Sequence, residues 1–181
     1  MWTILLFVAT VSAGLNIQLP GHCSLPLDRG RECGGNSTIR YYMDKDRLQC
    51  FPFRYNGCGG NGNNFESESA CFNCLPADLN FCPGNTDPVK DAKGESYCNH
   101  QKKCAEGAKC RMGFAVGLCC SNDSIKRENA DNEPACPKGK EAYKAQRFGF
   151  DSLFTGLKCE HDFCPRGSSC HQGEFISYCC K

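Results

Sequence analysis

Eighteen of the 181 residues are cysteine, an even number, and every one lies beyond position 13. About one cysteine in ten marks a disulfide scaffold when a chain is exported, and the first residues supply an export signal. Residues 1–13, MWTILLFVATVSA, are an apolar run too short to cross a bilayer, ending in small residues at Val11 and Ala13. That is the pattern of a signal peptide without its usual basic n-region, with cleavage expected after Ala13 or, as the alternative, after Gly14. No later stretch approaches the roughly 20 apolar residues a membrane helix needs. The chain therefore reads as secreted and extracellular, with nine disulfides and no free thiol.

The remaining composition explains why the cysteines are needed. Leu, Ile, Val and Phe supply 27 of the 168 residues after position 13, too little aliphatic mass for one large core, so small units must be stapled covalently. A net charge of +1 argues against nucleic acid or an anionic membrane surface as the main partner.

Cysteine spacing divides the chain. Cys23, Cys33, Cys50, Cys58, Cys71 and Cys74 come first. Cys82-Pro83 then leads, after 15 intervening residues, to Cys98, Cys104, Cys110 and the pair Cys119-Cys120. Cys136-Pro137 leads after 22 to Cys159, Cys164, Cys170 and Cys179-Cys180. The later intervals are five and then eight residues in both copies. Gly107 and Gly167 sit three before the fourth cysteine, and Gly113 and Gly173 three after it. Shared spacing and shared glycines identify an internal repeat, with repeat 1 at 82–120 and repeat 2 at 136–180. Between them, SNDSIKRENADNEPA (121–135) is polar, charged and ends near Pro134, so it reads as a solvated linker. Its Lys126-Arg127 lacks an arginine four residues before the cut expected of a processing site.

Within the first segment, TIRYYM (38–43) is rich in β-branched and aromatic residues, DKDR (44–47) suits a turn, and LQCFPFRY (48–55) returns as a second strand. Pro52 requires a position where its missing N–H is not needed. ESESACFNC (66–74) suits a short helix with Cys71 and Cys74 on one face. These features, with CSLPLDRGREC and the run F-x-Y-x-G-C-G-G-N-x-N-N-F from Phe53 to Phe65, resemble a Kunitz (pancreatic trypsin inhibitor type) domain over residues 23–74. The resemblance implies a small disulfide-rich α+β fold, a twisted β-hairpin plus C-terminal helix, followed here by two six-cysteine, loop-rich repeats. It also implies the pairs Cys23–Cys74, Cys33–Cys58 and Cys50–Cys71, an anchoring role for Asn63, and a small core of Phe53, Tyr55 and Phe65.

In inhibitory members of that family the residue after the second cysteine enters the specificity pocket of a serine protease from a rigid, substrate-shaped loop. The corresponding contact loop here is Cys33, Gly34, Gly35 and Asn36. Gly34 brings no side chain to an anchor position that is commonly worth about 2 kcal/mol or more, and two successive glycines loosen the segment. Nine residues instead of eight precede Cys33, and sixteen instead of fifteen separate it from Cys50. Arg29 and Arg31 precede Cys33 and do not substitute for the anchor. Asn36-Ser37-Thr38 is a glycosylation sequon on the surface a protease would cover, and Asn122-Asp123-Ser124 is a second.

The two later segments resemble the cysteine-rich repeats called lustrin-type, which accompany Kunitz domains in secreted invertebrate proteins, roundworms especially. Six cysteines allow fifteen connectivities, and spacing does not choose among them. Cys159, His161, Cys164, Cys170 and His171 lie close in sequence, but in a secreted chain with even cysteines disulfides outrank zinc. No H-E-x-x-H or G-x-S-x-G pattern occurs, so the chain reads as a non-enzyme that needs no cofactor. Two functions fit. One is weak inhibition or modulation of an extracellular serine protease, without strong trypsin inhibition. The other is a structural or binding component of extracellular matrix or cuticle.

Overall fold

The computed structural model of the chain describes residues 18–75, 80–113, 116–147 and 149–181. The segment expected to be a signal peptide lies outside them. The first segment is built on a hairpin of Thr38–Asp44 (β2) and Gln49–Tyr55 (β3), in register from Thr38 opposite Tyr55 to Asp44 opposite Gln49. Asp44 closes the turn by accepting the Arg47 N–H at 2.8 Å. Pro52 faces Tyr41, whose N–H and C=O point the other way, toward Phe65 at 2.9 and 2.8 Å. The missing proline donor therefore costs the ladder nothing. A short pair, Arg31–Glu32 (β1) with Gly57–Cys58 (β4), flanks the hairpin. The segment closes with the helix Glu68–Phe72 (α1), capped by Ser67.

Two small clusters fill this segment. Met43 packs with Cys23, Cys50, Cys71 and Cys74, while Tyr42, Phe51 and Phe53 pack on the opposite side. Asn63, fully buried, ties the loop after β4 to the hairpin. Its Oδ1 accepts the Met43 N–H at 2.8 Å, and its Nδ2 donates to the carbonyls of Leu25 (2.8 Å) and Met43 (2.9 Å).

The two later segments share one architecture. Tyr97–Cys98 (β5), Ala108–Met112 (β6) and Gly117–Ser121 (β7) form a sheet in the order β5-β7-β6. Thr155–Gly156 (β10), Ser169–Gln172 (β11) and Ser177–Cys180 (β12) form another in the order β10-β12-β11. Cys110 faces Cys119 in the first sheet, and Cys170 faces Cys179 in the second. All eighteen cysteines are paired. Each six-cysteine segment joins first to sixth, second to fourth and third to fifth: Cys23–Cys74, Cys33–Cys58 and Cys50–Cys71; Cys82–Cys120, Cys98–Cys110 and Cys104–Cys119; Cys136–Cys180, Cys159–Cys170 and Cys164–Cys179. The seven additional residues of the last segment accompany a hairpin, Lys144–Arg147 (β8) with Phe150–Leu153 (β9). Its Arg147 forms an ion pair with Glu68 of α1.

The region expected to be a solvated linker contains a helix, Asn122–Asn132 (α2), capped by the Ser121 hydroxyl, which accepts the Ser124 N–H at 3.0 Å. Its sequence is polar on nearly every face, so no apolar stripe announces it; tertiary contacts hold it. Asp131 is only 3% exposed. Its carboxylate accepts the N–H groups of Glu174 (2.6 Å), Phe175 (2.7 Å) and Ile176 (3.1 Å), in the loop between β11 and β12. Arg127 lies 4.3 Å over the Phe175 ring and pairs with Glu174 at 3.1 Å, and Glu128 receives Arg111 from β6. A Cβ at Gly173 would lie 2.2 Å from Asp131 Oδ1, which is why glycine stands there. Asn80 caps the corresponding loop of the other sheet, donating to the Arg111 carbonyl at 3.1 Å.

Held this way, Phe175 becomes the meeting point of the chain. It is 7% exposed, with Arg47 of the first segment 5.2 Å above its ring. Gly84 of the second segment sits so close that a Cβ there would come within 2.5 Å of the ring. Arg47 also donates to the Gly84 carbonyl at 2.8 Å. Leu157 and Ile176 extend the Tyr42–Phe53 cluster, so the last segment completes the core of the first. Replacing Asp131 by alanine strands three N–H groups that now share a charged acceptor. At about 1.5–3 kcal/mol for each such bond, partly offset where water reaches the freed donors, a loss of at least about 3 kcal/mol is expected, read as a lower urea midpoint.

Candidate functional site

The contact loop springs from the β1–β4 pair, where Arg31 faces Cys58 and Glu32 faces Gly57. The Cys33–Cys58 disulfide pins it to β4. Its base is further tied by the Asn56 N–H to the Arg29 carbonyl (2.9 Å) and by Asn56 Nδ2 to the Gly30 carbonyl (3.0 Å). Gly30, at φ +65°, lies against the Cys58 carbonyl, where a Cβ would come within 2.3 Å. Beyond Cys33 this tight packing ends. Gly34, Gly35 and Asn36 are exposed, and a Cβ at either glycine would meet nothing within 4 Å.

Gly34 adopts φ +80°, left-handed backbone that side-chain-bearing residues take at a cost of roughly 1–2 kcal/mol. At the position where the family resemblance implies an anchor, there is no side chain and the backbone is left-handed. Lengthening the span between Cys33 and the hairpin gives the chain room to turn this way.

The third segment stands beside this loop. Arg54, opposite Ile39 at the open end of the hairpin, donates from Nε to the Asp162 carbonyl and from Nη2 to the Cys164 carbonyl, both at 3.0 Å. The Asp162 carboxylate lies 2.9 Å from Arg54 and 3.6 Å from Arg29, and Arg29 also donates to the Glu160 carbonyl at 3.2 Å. Ser37, three residues past Gly34, shares a cleft of about 410 Å³ with Arg54 and the Cys164–Ser168 stretch. Sequence reasoning missed Arg54, Asp162 and this stretch as neighbours of the contact loop. Nothing local connects positions more than a hundred residues apart.

The residues weighed as zinc ligands are otherwise engaged. Cys159, Cys164 and Cys170 are in disulfides, so they offer no thiolate. His171 stacks on Tyr178 with ring centroids 5.7 Å apart. His161 meets the Tyr42 ring edge-on at 5.5 Å, and its buried Nδ1 has no hydrogen-bond partner among the described residues. Burial, reinforced by Lys158, holds the His161 imidazole below its ordinary pKa, against the opposing pull of Glu160. Of the two sequon asparagines, Asn36 is exposed in the loop and Asn122 is exposed at the start of α2.

With this geometry in place, the Kunitz/bovine pancreatic trypsin inhibitor domain family matches residues 22–74. A BPTI/Kunitz inhibitor domain-containing protein of Caenorhabditis elegans is 39% identical over 161 residues, covering 88% of this chain and 89% of that protein. The major allergen Ani s 1 of Anisakis simplex is 30% identical over 167 residues, covering 88% of this chain and 86% of the allergen. Among solved structures, a cone snail toxin is 45% identical over 32% of this chain and 100% of its own, with a TM-score of 0.29. This is a disulfide-stapled protein of the protease-inhibitor class. The chain belongs to the Kunitz-domain family, and its similarity to the roundworm proteins extends well past the Kunitz domain itself.

Two outcomes follow from the site. Gly34→Lys alone is expected to inhibit trypsin weakly, because the left-handed backbone resists the side chain. Removing one residue between positions 34 and 38 in the same variant is expected to tighten inhibition about ten-fold or more, as measured by inhibition constants. A depressed histidine pKa means that the unfolded chain takes up the proton first. His161 should therefore make stability fall as pH drops below about 6.5, and chemical denaturation should show a smaller fall in His161→Gln.

Proposed function

We propose that the protein is secreted and that it engages an extracellular serine protease as a weak inhibitor or modulator, without strongly inhibiting trypsin. The observation that carries this reading is Gly34: a family contact loop, disulfide-pinned in its usual place, with no anchor side chain and a left-handed backbone at that position. Binding energy ordinarily concentrated in one side chain is missing there, while the surrounding frame remains. A glycan on Asn36 further obstructs close docking, and Asn122 is a second acceptor. Residues 82–120 and 136–180 are two copies of a lustrin-type repeat, a reading supported by their common strand order and disulfide order.

A second reading, a structural component of matrix or cuticle, draws on those two disulfide-knit copies. Free extraction in mild buffer is the observation that counts against it. The protease reading is tested by titrating the mature chain, before and after glycan removal, against trypsin-, chymotrypsin- and elastase-like enzymes. The expected result is weak, partial inhibition or binding without full block, with trypsin the least affected. Absence of both binding and rate change across the panel overturns it.

A further inference from the structure

The chain has nine arginines, and seven are engaged. Arg29 and Arg54 hold Asp162, Arg40 holds Glu66, Arg47 holds the Gly84 carbonyl, and Arg111, Arg127 and Arg147 pair with Glu128, Glu174 and Glu68. Among the described arginines, only the side chains of Arg31 and Arg166 make no ion pair, hydrogen bond or ring contact. Both are exposed; Arg31 leads into the contact loop, and Arg166 shares a cleft with Ser37 just past it. Arg31 is in β1, two residues before Cys33. Arg166 is at the tip of the turn Pro165–Ser168, on the Ser37 side of the loop and lining the same cleft as Ser37.

The Arg166 turn is built and tethered. The Ser168 N–H closes it on the Pro165 carbonyl at 3.1 Å, and Gly167 supplies the φ of +83° it requires. Arg54 fixes it to the first segment through the Cys164 carbonyl. The turn itself does not need a cation. The corresponding turn of the other repeat, closed by the Ala108 N–H on the Ala105 carbonyl at 3.2 Å, carries Glu106 at the matching position.

We propose that Arg31, ahead of the altered loop, and Arg166, beside Ser37 past it, form a two-point clamp that docks carboxylates flanking the substrate cleft of a serine protease. This rests on the protease reading above and deepens it. Guanidinium groups are favoured at interface hot spots because they combine an apolar stem with a fork that matches a carboxylate. The clamp moves binding from the enzyme's specificity pocket to the rim of its cleft. A protein bound this way covers the cleft without plugging it, which explains how a Gly34 loop can act as a modulator. The third segment thereby becomes part of the binding surface, a role its cysteine pattern does not suggest.

The test uses the full mature chain carrying Arg31→Glu, Arg166→Glu, both together, or Lys109→Glu as an equal charge change on the other repeat. Glutamate at 166 copies the natural residue at 106, so the fold tolerates it, and melting temperatures check this. Dissociation constants are measured against the same enzyme panel at low and high salt. Each single change is expected to weaken binding about ten-fold, the pair about a hundred-fold if the two sites act independently, with a shallower salt dependence. Lys109→Glu is expected to bind as the parent does. If the parent binds and the double variant binds equally well, the clamp is overturned and the protease reading stands. If the parent binds no enzyme, both fall. Loss of heparin binding in the double variant with protease affinity unchanged also overturns the clamp, in favour of a sulfated polysaccharide as the ligand of these arginines.

Discussion

Three backbone N–H groups, from Glu174, Phe175 and Ile176, converge on the buried carboxylate of Asp131. Each would otherwise need a partner in a place largely closed to water, and an unpaired buried donor costs about 1–3 kcal/mol. Satisfying them from one side chain fixes the loop, and the fixed loop delivers Phe175 to the point where three disulfide-knit segments meet. Arg47 and Arg127 both lie over that ring, at 5.2 and 4.3 Å from its centroid, while Gly84 of another segment leaves it room. Disulfides hold each segment to itself; none of the nine joins one six-cysteine segment to another. The association among segments therefore depends on noncovalent contacts: this junction, the Arg29–Arg54–Asp162 group, Arg147 with Glu68, and Leu157 and Ile176 against the Tyr42–Phe53 cluster.

That association changes what the contact loop is. In isolation, residues 33–36 occupy the place where the family resemblance implies a contact loop, with glycine at the expected anchor position. In the folded chain β1 leads into the loop, and Ser37 just past it shares a cleft with the Cys164–Cys170 stretch, with Arg54 as the fastening. A partner covering Gly34 meets a surface drawn from two segments, so the energy of binding need not reside in the one position where glycine stands.

Much of the first segment was legible. The alternating aromatic and β-branched residues at 38–43 and 48–55 produced the hairpin, with Asp44 at its turn. The Kunitz run from Phe53 to Phe65 pointed to the fold because its glycines and asparagines occupy positions that other residues fill badly. The helix at 122–132 was not legible, since its face toward the core is polar and its stability comes from Asp131, Arg127 and Glu128 meeting distant partners. Gly113 and Gly173 were visible as a repeat signature, but their reason was not: each lies against a polar cap contributed from outside its own sheet.

By itself, the sequence determined the cysteine framework, the hairpin, the absent side chain at position 34 and the sequon beside it, because these are properties of residue type and short spacing. Only the tertiary structure decided that Asp131 reaches the loop at 174–176, that Phe175 sits among three segments, and that Arg166 lines one cleft with Ser37. Those juxtapositions join positions from 43 to 129 residues apart. They arise from the docking of segments too small to bury their apolar faces alone, and no local pattern in the chain encodes which faces meet.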